Sequence, residues 1–168
     1  MAYCTAADVA NAATSGWEEL AQRANPTGAG VDAELLQAAV AGNDLTDWPE
    51  ENQQLAAAAV VRVNDAIDMA GRHIDTYLFP RYRQVMPLPS ETVLASSLPA
   101  VCAAIALRRL YGAAVPEDIR RGTAWADQYL VDVSKGIVSL GVTDTAVAQP
   151  AGRTVARAPA KAFDWRGY

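Results

Sequence analysis

The chain has 168 residues, enough for one domain with one appendage and a real core without disulfide or metal staples. Its 51% hydrophobic content is inflated by alanine, the best helix former, while β-branched and aromatic residues are sparse, so composition favours an all-α fold. The net charge of −5 is unevenly divided: residues 1–144 carry 10 basic and 18 acidic side chains, and residues 145–168 carry 4 basic and 1 acidic. An acidic body repels phosphate backbones at long range and argues against sequence-specific nucleic-acid binding.

The start, MAYCTAADV, has neither a basic leader nor an apolar core of signal length, and no run approaches the roughly 18 apolar residues of a membrane span. The expectation is a soluble protein in a reducing cytoplasm. Cys4 and Cys102 lie far apart and form no CxxC or Cys/His pair, so they read as buried free thiols. Thr5 and Asp8 have capping-pair spacing and predict a helix to about Ala13. Thr14 and Ser15 offer a cap for WEELAQRA, with Glu18 and Glu19 in its first turn. NPTGAG (25–30) predicts a turn. Asp32 caps DAELLQAAVAG, and Gly42 with Asn43 stops it. The polar loop 43–52 is expected to fold Trp48 back onto the body.

Leu55, Ala59, Val63, Ile67, Ala70, Ile74 and Leu78 recur at spacings of three and four, which predicts a long helix from Pro49 to about Leu78. Asp65, Asp68, Arg72 and Asp75 recur similarly on another face and read as a solvated, salt-bridged surface. Pro80 disfavours helix at Phe79, so the chain should turn there. Pro87 and Pro89 then hold it extended until Ser90 caps the next helix. On this reading Tyr77, Phe79, Pro80, Arg81 and Tyr82 form an elbow between two long helices. Phe79 and Tyr82 plug the corner, and Arg81 reaches an acidic neighbouring face or phosphates.

The second long helix runs from Ser90, or from after Pro99, to Tyr111, with Leu94, Leu98, Val101, Cys102, Ile105 and Leu110 inward. The third starts at Pro116 and closes at Lys135–Gly136, burying Ile119, Thr123, Ala126, Tyr129, Leu130 and Val133, with Trp125 on its flank. GIVSLGV (136–142) is expected to be either one short strand or an extended closing segment. After Thr143 the periodicity stops. Residues 1–144 thus form a helical domain and 145–168 an extended basic arm, whose Arg153, Arg157, Phe163, Trp165 and Tyr168 are the residue types that anchor interfaces.

No residues suggest turnover. There is no GxSxG elbow, no cysteine placed beside the single histidine, no phosphate-cradling glycine loop and no metal-ligand spacing, so neither a catalytic residue, a metal nor a cofactor is expected. His73 reads as an ordinary mid-helix residue.

The order of several short pieces is more informative than any one of them. Ile74-Asp75-Thr76-Tyr77-Leu78, Arg81-Tyr82, Pro87-Leu88-Pro89, Leu110-Tyr111-Gly112 and Lys135-Gly136-Ile137-Val138-Ser139-Leu140-Gly141, with the opening YCTAADV, resemble the head-tail connector (neck, head-completion) proteins of Mu-like tailed phages over residues 3–141. The resemblance implies a mostly helical virion adaptor, free in the host cytoplasm before assembly, that forms a ring, a dodecamer by analogy. Its implied partners are the portal protein, a tail-side neck or tail-terminator protein and copies of itself. Genome DNA would pass through the ring without sequence-specific contact, and no membrane is involved. The arm at Arg153, Arg157, Phe163, Trp165 and Tyr168 would dock on the portal. The other reading is a small helical regulatory or DNA-binding phage protein, with RRLYG (108–112) and IRRG (119–122) as basic patches.

Overall fold

A helix that is apolar on every side has no face to offer water, and LPAVCAAIALRRL is such a segment. The computed structural model describes residues 2–25 and 30–142. Among these residues it contains α1 (Ala6–Ala12), α2 (Trp17–Ala24), α3 (Ala33–Ala41), α4 (Glu50–Tyr82), α5 (Ser90–Leu94), α6 (Leu98–Leu110) and α7 (Glu117–Lys135), and no strand. The fold is all-α. Every residue from Val101 to Leu107 is buried, which makes α6 the axis around which α4, α7 and α1 pack. Its alanines, Ala103, Ala104 and Ala106, let neighbouring backbones come close.

α4 spans 33 residues, roughly 50 Å at 1.5 Å per residue, and is the longest rod. Ala59, Val63, Ile67, Ala70, Ile74 and Leu78 form its buried stripe, lying against α6, α7 and α3. Asp65, Asp68 and Arg72 face solvent as their spacing predicted. The short N-terminal helices are set by their caps. The Thr5 N–H donates to the Asp8 carboxylate at 2.8 Å and the Asp8 N–H to the Thr5 hydroxyl at 3.2 Å, a reciprocal capping box. The Asp32 carboxylate accepts from the Leu35 N–H, and Gly42 closes α3 in the left-handed conformation. Gly16, rather than Thr14 or Ser15, stands at the N-cap of α2 and makes no side-chain cap. There the Ser15 N–H is taken up by the Glu19 carboxylate at 3.1 Å.

Four expectations are corrected. α4 does not stop at Phe79 but continues through Pro80 to Tyr82, because Tyr82 is fully buried and Arg81 is tied to α7, so tertiary anchoring outweighs one missing N–H in the final turn. The second long helix is split into α5 and α6. Pro99 cannot carry the helical ladder back into α5, and Ser96 bridges the break, donating to the Val93 carbonyl at 2.8 Å and accepting from the Leu98 N–H at 3.2 Å. That break turns Leu94 outward, 78% exposed instead of inward. Residues 136–142 form no strand but an irregular closing segment, with left-handed Gly136 and Gly141 and a buried Leu140. Residues 26–29 of the NPTGAG turn (25–30) and the whole of the arm at 145–168 lie outside the described residues.

Ile74→Ala removes a fully buried side chain from the α4 stripe and is expected to lower unfolding free energy by about 2–5 kcal/mol, measured by urea denaturation.

Candidate functional site

The elbow residues foreseen from sequence do converge, though in different roles. The Arg81 guanidinium is buried and its Nη1 donates to the Val133 carbonyl at 2.5 Å, which fastens α4 to the last turn of α7. A carbonyl near a helix C-terminus is a natural acceptor for a cation. Gly136, at φ +82°, continues this contact: a Cβ placed there would lie 2.9 Å from Arg81 Nη1. Tyr82 plugs the corner as expected and its hydroxyl accepts from the Leu140 N–H at 3.3 Å. Phe79 does not plug it. It stands 59% exposed on the outer face of α4, beside the exposed Pro80, while Tyr77 is half-buried. The Met86–Pro87 peptide is cis and leads into the buried Leu88.

A second constellation was not visible in the sequence, because it joins three helices. Arg108 of α6 grips Asp127 of α7 with two hydrogen bonds, 2.6 and 2.9 Å, and His73 of α4 lies 4.0 Å from the same carboxylate and edge-on to Tyr77. The Arg108 hydrogen bonds hold the Asp127 carboxyl below its ordinary value. Burial, followed by the charge of Arg109, lowers His73, against a smaller opposing pull from Asp127. His73 is therefore neutral at pH 7. The Arg108–Asp127 pair, with His73 beside it, ties α4, α6 and α7 together as a helix clamp.

Two further contacts have the same character. The Tyr3 hydroxyl donates to Asp75, and the Tyr111 hydroxyl donates to Glu19 with Arg23 stacked 4.4 Å over the Tyr111 ring. Burial and these carboxylates raise both phenols. Asp75 thus leaves the solvated set to which its spacing assigned it. Cys4 and Cys102 are both buried free thiols, brought close together where the N-terminal segment meets α6, and the Cys102 thiol donates to the Ile67 carbonyl of α4 at 3.9 Å. The arginines of the two basic patches are largely engaged: Arg108 with Asp127, and Arg120 and Arg121 with Glu117. Among the described residues no three His, Cys, Asp or Glu side chains gather as metal ligands, and no helix is long and apolar enough to cross a membrane. Arg153, Arg157, Phe163, Trp165 and Tyr168 lie outside the described residues.

The fold and its clamps define an all-α protein in which a small set of polar contacts joins helix to helix. Residues 3–158 match the family described as Bacteriophage Mu, Gp36, and the chain belongs to that family of phage proteins. No curated protein and no solved structure matches it.

His73 is the single histidine, so its ring proton signal can be followed by NMR without assignment. Its midpoint is expected below 6.5, and Asp127→Asn should lower it further by removing the carboxylate that favours the charged ring. Between the lowered value and 6.5 the unfolded chain binds the extra proton, so the fold weakens as pH falls through that window, with no such penalty above it. Gly136→Ala should destabilise the fold by about 1 kcal/mol or more, read from the denaturation midpoint, since it combines a left-handed backbone with the Arg81 contact.

Proposed function

We propose that the chain is a structural virion protein, a head-tail connector that assembles as a ring between portal and phage tail and leaves a channel for DNA. The observation that carries this reading is the family match over residues 3–158, which makes it a phage protein along almost its whole length. The structure supports it by what its side chains do. Charged and phenolic groups join helices at the Arg108–Asp127, Tyr3–Asp75 and Tyr111–Glu19 contacts, as suits a rigid building block without enzymatic activity. The outer face of α4 carries Val61, Met69 and Phe79 among Asp65, Asp68 and Arg72, a mixed surface of the kind that packs against neighbouring subunits. Acidic side chains along a channel would keep the genome from adhering as it passes.

In this reading the partners are the portal protein, a tail-side neck or terminator protein and copies of the chain. The basic arm, through Arg153, Arg157, Phe163, Trp165 and Tyr168, contacts the portal in the assembled particle. The engagement of Arg108, Arg120 and Arg121 with carboxylates favours this over a DNA-binding regulator. Electron microscopy of particles tests the reading directly: density for the chain is expected at the junction of shell and tail, and its location elsewhere would refute it. Deleting residues 145–168 should leave the helical circular-dichroism signal unchanged and abolish co-sedimentation with portal-bearing heads.

A further inference from the structure

Where α1, α5, α6 and α7 meet, the surface opens into a cleft of about 510 Å³. Leu94 forms one wall and Trp125, 46% exposed, another, while Ala103, Ala104 and Gly122 form a floor of small residues. Two large apolar side chains left in water around a shallow floor make a slot shaped for a flat ring. Its rim is acidic. Asp8 lines it, exposed Glu91 stands one turn before Leu94 on the same face of α5, and exposed Asp118 shares a face of α7 with Gly122 and Trp125. Arg121, near that face, is engaged by Glu117.

We propose that this slot receives the aromatic end of the chain's own C-terminal arm. Phe163 and Trp165 enter between Leu94 and Trp125, and Lys161 and Arg166 lie against the carboxylates of the rim. Charge complementarity supports the assignment, since residues 145–168 carry four basic side chains and one acidic one. The reach is also right. The last described residues sit at the C-terminal end of α7, where the Leu140 N–H bonds the Tyr82 hydroxyl. From Lys135 back to the Gly122–Trp125 turn is roughly 15–20 Å along the helix. Twenty residues, 143–162, separate Val142 from Phe163, and a random chain of that length has a root-mean-square span of roughly 25 Å, so the tether suits the distance and would hold the rings near the slot at about millimolar effective concentration. A contact too weak to form between separate molecules therefore closes within one. The arm occupies its own subunit until something that binds it more tightly takes it away, and this holds whether or not the chain is a connector.

The test is nuclear Overhauser spectroscopy on the full chain, with its mass in solution measured alongside. The rings of Phe163 and Trp165 are expected to show cross-peaks to the methyls of Leu94, Ala103 and Ala104 in the monomer, independent of concentration. Leu94→Lys, at an exposed position that leaves the core intact, should erase them, and Phe163→Ala/Trp165→Ala should shift the Trp125 indole signal. Two results would overturn the proposal. One is cross-peaks seen only between differently labelled molecules in a species of doubled or greater mass, which would place the arm on a second copy. The other is no cross-peaks together with an unmoved Trp125 signal.

Discussion

Burial of the middle of α6 on every side is the constraint on which the rest depends. With Val101 to Leu107 all out of water, the protein must supply a helix on each side, and α4, α7 and α1 do so. The thickness of that inner layer is set by alanine and the Cys102 thiol, side chains small enough to bring four helices together but too small to define register alone. Longer side chains from the surrounding helices complete it: Val63, Ile67, Ile74 and Leu78 of α4, Leu130 and Val133 of α7, and Val9 of α1.

Register is fixed by polar contacts at the edges of this core. Arg81 to Val133 aligns the ends of α4 and α7, and the two-bonded Arg108–Asp127 pair aligns α6 with α7 further up. Tyr3–Asp75 and Tyr111–Glu19 attach the N-terminal helices to the long ones. Such directional contacts contribute little net stability when partly exposed, but each rejects a helix shifted by one turn. In the proposed role, where every copy must present the same surfaces, such uniqueness is an advantage.

The same distribution of side chains explains what remains on the surface. A few polar groups face inward onto neighbouring helices, while most charged side chains stay in water, and the exposed large apolar side chains include Val61, Met69 and Phe79 on the outer face of α4 and Leu94 and Trp125 around the slot. In charge, residues 145–168, with four basic side chains and one acidic, are the counterpart of the acidic body.

Local rules of the chain by themselves determined the helical class, the caps at Thr5, Asp32, Gly42 and Gly136, and the buried stripes of α4 and α7, because these depend on spacing and on residues a few positions apart. The ordered short motifs also pointed to a phage family before any fold was known. Tertiary structure alone decided that α4 runs through Pro80, since the burial of Tyr82 and the Arg81 bond come from residues more than fifty positions away. It also decided that Phe79 and Leu94 face water, that Cys4 meets Cys102, and that Asp127 serves both Arg108 and His73. Periodicity reports which face of a helix is apolar. Which distant side chain meets that face depends on how the rods are laid together, and nothing local records it.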